Sequence, residues 1–196
     1  MNTEVILALY LFVLVAIFTP GPNNMMLLAS GANFGVRRTL PHMAGITIGH
    51  AGMVVILGLG LTRLLDAFPS IFAVLEIACL AYLLWLAWRI ANAAPPEGAQ
   101  GAGRPLTFVQ AAGFQWVNPK AWAVALTAVT AYAPGEGLAA VLVTALVFLT
   151  VSVPSVSLWA GLGTGLRRWL GTGLRLRIFN RTMAVLLVLS TLPVLF

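Results

Sequence analysis

The sequence predicts an all-α integral membrane protein. Six transmembrane helices form two inverted three-helix repeats, with helices one and four broken. Three observations carry that prediction. Of 196 residues, 60% are hydrophobic and 8% charged, with mean hydropathy +0.97, against roughly 25% charged in a soluble domain. The apolar residues fall into six runs near the roughly 20 residues that a helix needs to cross a bilayer. Two of those runs, three apart, are interrupted by proline beside asparagine.

The first run extends from Val5 to Ala29 and contains Pro20-Gly21-Pro22-Asn23-Asn24. Two prolines and a glycine break a helix's hydrogen-bond ladder, and two amides cannot sit in hydrocarbon unpaired. A broken helix at membrane depth is tolerated where protein or a watery cavity lines it. Met1-Asn2-Thr3-Glu4 lacks the basic start of a cleaved signal peptide, so this run reads as the first span of the mature protein. The second run covers Leu40 to Leu61 and the third Ile71 to Ala91. Residues 92–106, with Pro95-Pro96 and Arg104-Pro105, read as a linker between repeat one (about 1–91) and repeat two (about 107–196) of one transporter domain. The fourth run, Thr107 to Tyr132, is interrupted at Asn118-Pro119-Lys120. Pro134-Gly135-Glu136-Gly137 reads as a tight turn before the fifth run, Leu138 to Leu162, and the sixth runs from Leu176 to Leu195.

Basic residues set the predicted orientation. Arg37 and Arg38 follow the first span, Arg89 and Arg104 the third, and Arg167, Arg168, Arg175, Arg177 and Arg181 the fifth. Nine of the eleven basic residues thus share one side, Arg63 stands alone on the other, and Lys120 lies within a span. The positive-inside rule makes the arginine side cytoplasmic and both termini external. Topology also explains the net charge of +6. The arginines occupy short loops without interleaved aromatics, so nucleic acid is not an expected partner. The lone Cys79 permits neither an internal disulfide nor a multi-cysteine metal site, and no cofactor motif or nucleophile elbow is present.

The two halves echo one another. Span two ends in Gly58-Leu59-Gly60-Leu61 and span five in Gly161-Leu162-Gly163, besides the matched breaks in spans one and four. An odd number of spans per half makes the repeats antiparallel, and interrupted spans at matching positions point to a transporter's site. The expected substrate-binding residues are Asn23, Asn24, Asn118 and Lys120, with Pro20, Gly21, Pro22 and Pro119 holding the breaks. Helix N-termini freed by a break suit a carboxylate, while unwound carbonyls suit an ammonium group. The pair suits a zwitterion. The plainer reading is a structural kink with the amides pairing between helices. Lys120 is a basic residue deep in a span, a functional candidate by default unless it snorkels to an interface.

His50, after Gly45-x-x-x-Gly49, is a candidate for relaying protons, or a packing histidine. Glu76 in span three is a second proton-coupling candidate, equally compatible with pairing to Lys120 or Arg89 or with a place near the outer interface. His42 lies near the cytoplasmic interface and is a weaker candidate. Gly31/Gly35, Gly45/Gly49 and Gly161/Gly165 have the four-residue spacing that lets helices approach closely. Trp116 and Trp122 flank the second break.

The residues Phe18-Thr19-Pro20-Gly21-Pro22-Asn23-Asn24, followed by Gly31, Gly35 and Gly45-Ile46-Thr47-Ile48-Gly49, resemble the lysine-exporter/homoserine–threonine-resistance family of amino-acid exporters. Ala81-Tyr82-Leu83-Leu84-Trp85-Leu86 and Phe114-x-x-x-Asn118-Pro119-Lys120 match further motifs of that family, and the likeness covers nearly the whole chain. In detail it is most similar to the cysteine/O-acetylserine exporter branch. The resemblance implies secondary-active, proton-coupled export of a small amino acid or derivative across a bacterial inner membrane, without cofactor or enzymatic activity. Its small-residue faces permit a homodimer. Two positions depart from the pattern: His50 stands where the family often has aspartate, and Glu76 where a basic residue is frequent. Two other functions share such a topology. A membrane redox or cofactor-transfer protein would need paired cysteines in the spans, and an importer of a small zwitterion would use the same residues.

Overall fold

A computed structural model describes residues 1–61, 70–93, 104–133, 137–171 and 173–190, and every regular element among them is helical. Helix α1 (Thr3–Phe18) is started by the Asn2 side chain, which accepts a hydrogen bond from Val5 N at 2.9 Å. It ends at Thr19, in extended backbone, because the residue before a proline is disfavoured in helical conformation. Helix α2 (Pro22–Phe34) restarts at once with Pro22 in its first turn, where a missing N–H costs nothing. The two are bent by 54° and make one broken span.

Gly35 ends α2 and starts α3 (Val36–Ile56) with φ +79°, a left-handed conformation that an L side chain rarely adopts. Helix α3 continues through a π-helical turn, Leu57–Leu61, in which Gly60 has φ 111°. Helix α4 covers Ser70–Ala91. Helix α5 (Phe108–Gln115) opens on a capping box between Thr107 and Gln110, with reciprocal bonds of 3.2 and 3.1 Å. After the second break, α6 (Pro119–Tyr132) starts with Pro119 in its first turn and Asn118 as its N-cap. Helix α7 (Gly137–Leu170) has 34 residues, and α8 (Leu174–Leu189) closes the described chain. Arg175, Arg177 and Arg181 lie on α8 and not in a loop before it.

Val36–Leu61 and Gly137–Leu170 are long and apolar enough to cross a membrane, and α1–α2 together make a third candidate span. The predicted turn at Pro134-Gly135-Glu136 and most of the linker, 94–103, lie outside the described residues.

Two large apolar clusters form most of the core. One joins Leu9 and Val13 of α1 to Val54 and Leu57, Val124 and Ala128 of α6, and Phe148 and Val151 of α7. The other joins Met26 and Leu27 of α2 to Met43 and Ile46 of α3, Leu83 and Leu86 of α4, Phe114 of α5, and Ala184 and Leu187 of α8. Small residues set the close crossings. A Cβ on Gly31 would run into the Ala160 carbonyl of α7, and one on Gly163 into the Leu28 carbonyl of α2. Gly45 and Gly49 lie similarly against Phe108 and Ala112 of α5. Gly161 and Gly165, the predicted packing pair, have no neighbour within 4 Å of such a Cβ. Gly163, between them, makes the contact.

Polar pairs also fasten the helices. Asn33 of α2 and Asn180 of α8 exchange amide hydrogen bonds of 2.7 and 3.0 Å, both wholly buried, and Asn180 also donates to Ala93 O at 3.2 Å. Asn180→Leu leaves Asn33 Oδ1 without its donor, while Asn33 Nδ2 keeps its bond to Ala29 O at 2.8 Å, and we expect a loss of about 1 kcal/mol in thermal unfolding in detergent. Part of that returns in the Asn33→Leu/Asn180→Leu double variant. A double variant worse than the sum of the singles would show that the amides are not a pair.

Candidate functional site

The two helix breaks meet. Lys120, on the first turn of α6, extends its ammonium group to the carbonyls that α1 leaves unpaired at its end. Its Nζ donates to Thr19 O at 2.7 Å and reaches Pro20 O at 3.4 Å. Asn24 fills the same need from the other side, donating to Ile17 O and Thr19 O at 2.9 Å each. Asn118 caps α6, its Oδ1 accepting from Lys120 N at 3.2 Å. Asn23 pairs across the breaks with Gln115 of α5, donating to its Oε1 at 2.9 Å and accepting from its Nε2 at 3.3 Å. Gln115 is wholly buried and also donates to Ala111 O at 2.8 Å.

These groups surround a cavity of about 40 Å³, lined by Gly21, Pro22, Asn23, Asn24, Asn118 and Lys120 among others. A Cβ on Gly21 would stand 2.9 Å from Lys120 Cδ, so a side chain there would push the lysine aside. The first turns of α2 and α6 both border the cavity, so two positive helix ends face one negative end, that of α1. At roughly 10–15 Å³ per water, the volume holds about three waters. A larger guest has to displace the Lys120 side chain.

His50 lines this cavity from α3, its Nε2 3.3 Å from Ala121 O and its ring edge-on to Phe148 at 4.8 Å. Trp122 Nε1 donates to Trp116 O at 2.8 Å, so the two tryptophans brace the second break. The structure therefore gathers Asn23, Asn24, Asn118, Lys120, His50 and the break residues Gly21 and Pro22 around one space. Pro20 supplies a carbonyl to it, and Pro119 begins the helix that carries Lys120. Glu76 belongs to α4, but its side chain lies outside the described residues.

Three polar residues at the site were not among the expected ones: Gln115, Ser152 and Ser155. Ser152 Oγ is buried on the cavity wall without a hydrogen-bond partner among the described residues. Ser155 Oγ donates to Ile17 O at 3.4 Å. The signal for the serines was their position beside Pro154 in an otherwise apolar span; for Gln115 it was adjacency to the break. No cluster of potential metal ligands occurs among the described residues.

A second cavity, of about 220 Å³, lies further along α2 and α3. Its lining includes Ser30, Asn33, His42, Arg89 and Arg104. His42 is 1% exposed, and neither ring nitrogen has a partner among the described residues. A buried orphan of this kind ordinarily costs about 1–3 kcal/mol.

Apolar helices long enough to span a bilayer, broken where their polar groups converge, define a helical membrane protein with an internal polar site. The LysE type translocator family profile matches residues 14–195, and the chain belongs to that family. It is accordingly a membrane transporter and not an enzyme. The chain is 33% identical over 132 residues to a cysteine/O-acetylserine efflux protein of Klebsiella pneumoniae, covering 67% of each protein. It is 31% identical over 133 residues to proteins of the same description from Salmonella typhimurium and Escherichia coli K12, again over 67% of each. No solved structure matches the chain.

Proposed function

We propose that this protein exports a small zwitterionic amino acid or derivative, of the cysteine or O-acetylserine kind, across the bacterial inner membrane by secondary active transport. One observation carries the reading: the Lys120 ammonium group sits on the Thr19 and Pro20 carbonyls, bridging both helix breaks. That is where the ammonium group of an amino acid would bind. A substrate ammonium takes over the two carbonyls and displaces Lys120. The freed lysine, with the first-turn N–H groups of α2 and α6, then meets the substrate carboxylate. Asn23 and Asn24 hold the guest from α2 and Asn118 from α6, while Pro20, Gly21, Pro22 and Pro119 keep the breaks open. A molecule with only one of the two charges makes only half of these contacts.

The same reading takes the molecule as two inverted repeats, each bringing one broken helix to the centre, with both termini outside. The first break (Gly21-Pro22) and the second (Asn118-Pro119) use the same device, a capping residue followed by proline in the first turn. The proton step falls to His50, which lines the cavity, with Glu76 of α4 as the other candidate. The efflux relatives supply the direction. In proteoliposomes with an imposed pH gradient, we expect transport of O-acetylserine and cysteine ahead of cationic and acidic amino acids. Failure to move any of the standard amino acids or O-acetylserine would overturn the proposal.

A further inference from the structure

We propose that the cavity at the C-terminal end of α2 is a second binding site, which receives a carboxylate-bearing molecule of the amino-acid class before it reaches the breaks. The role as a loading site rests on the export reading above; the binding site itself does not. The two cavities share the same pair of helices. Asn23 and Asn24 on α2 and His50 on α3 border the first, and Ser30, Asn33 and His42 border the second. Eight residues separate His42 from His50, about 12 Å along a helix. Buried Met26 on α2 and Ile46 on α3 lie between the two along these helices.

The lining chemistry selects an anion with a small body. Two arginines, Arg89 and Arg104, line the space, and no acidic side chain among the described residues does. Arg89 is held in place rather than left to wander. Its Nη2 donates to Arg104 O at 2.9 Å, and its guanidinium lies 5.0 Å from the Trp85 ring centroid. A guanidinium has five N–H donors, and its fork matches a carboxylate. Asn33 and Ser30 are committed elsewhere, to Asn180 and to Thr39 at 2.9 Å. His42 is not, since both ring nitrogens are buried without a partner among the described residues. One nitrogen of a neutral imidazole donates and the other accepts, so His42 suits the polar end of a guest whose carboxylate rests on Arg89. Met26, Ala29, Leu86 and Leu106 form apolar walls. The volume of about 220 Å³ exceeds a few waters but falls short of the roughly 300–1,000 Å³ of drug-sized ligand sites.

The test uses the full chain with O-acetyl-L-serine as probe, in phosphatidylcholine nanodiscs for equilibrium binding and in proteoliposomes for transport. We expect Arg89→Gln to raise the half-saturating concentration about tenfold, the loss of one charge-assisted contact, with the maximal rate within about twofold. Arg89→Lys restores part of it. His42→Leu weakens binding in the same way, whereas a histidine that only packs would show unchanged saturation. Unchanged half-saturation in both Arg89→Gln and His42→Leu overturns the site. So does an Arg89-dependent component that vanishes in phosphatidylglycerol nanodiscs, which would assign the arginines to a lipid headgroup. Binding that depends on Arg89 and survives Lys120→Ala supports the second site even in a protein that fails to transport. Transport that persists without any Arg89-dependent binding overturns this site alone.

Discussion

Lys120→Ala is expected to lower transport of O-acetylserine into proteoliposomes about a hundredfold or more while leaving the protein folded. The magnitude follows from removing the cation that, in the proposed mechanism, answers the substrate carboxylate. Folding survives because the α1 carbonyls are not abandoned. Asn24 still donates to Ile17 O and Thr19 O, so only Pro20 O loses its donor. The stability cost is therefore about 1 kcal/mol, near that of one ordinary hydrogen bond. Lys120→Arg keeps the charge but replaces a compact ammonium with a planar fork, and an intermediate rate is expected. Full activity in Lys120→Ala, with a monodisperse elution profile, would remove the lysine from the site and with it the displacement mechanism.

The largest effect on stability is expected at the crossing of α2 and α7. In Gly31→Ala, the added carbon meets the Ala160 carbonyl and stands 3.1 Å from Thr164 N; in Gly163→Ala it meets the Leu28 carbonyl and stands 2.9 Å from Ala32 N. These are backbone atoms, which cannot swing aside as a side chain does. The helices have to separate, and the Thr164 Oγ1 bond to Gly31 O, 3.2 Å, is lost with them. Each substitution is expected to cost about 3 kcal/mol, the upper end for overpacking. Gly161→Ala and Gly165→Ala are the matched comparison, since they meet open space and gain up to about 1 kcal/mol of helix propensity. Tryptophan fluorescence during thermal unfolding in detergent reads the difference. Equal midpoints for Gly163→Ala and Gly161→Ala would contradict the crossing.

Both breaks were legible in the sequence because proline and glycine act locally: Pro22 and Pro119 restart their helices wherever the rest of the chain goes. That Lys120 reaches Thr19 was not legible, since it depends on how α6 crosses the end of α1, a contact between residues 101 positions apart. The asparagines show the same limit. Residue type marked Asn24 and Asn118 as polar groups at the breaks, but only geometry reveals that both cap helix ends while bordering the cavity. Gln115, Ser152 and Ser155 were missed because one polar residue in an apolar run carries no mark of which face it occupies. The Gly161/Gly165 pair failed for a related reason, whereas Gly45 and Gly49 do meet a partner helix. A four-residue spacing defines a stripe on a helix without saying which stripe meets a partner, so Gly163 was hidden between Gly161 and Gly165.

Helix α7 acts as a ruler. Its 34 residues extend about 51 Å, far beyond the roughly 30 Å of a hydrocarbon core, so its arginine-bearing end stands among the headgroups. Ser152, on the wall of the cavity between the breaks, is fifteen residues before Arg167. That is about 23 Å, against about 20–22 Å from the headgroup surface to the bilayer centre. With Arg167 among the headgroups, this distance puts the cavity near the middle of the bilayer. An ion that reaches it from either face has crossed about half of the potential, worth about 1.2 kcal/mol per elementary charge for each 100 mV. A zwitterion that enters with its charges balanced does no such work, whereas a lone proton delivered to His50 does. Under the proposed mechanism, voltage acts on the proton step and not on the zwitterionic cargo.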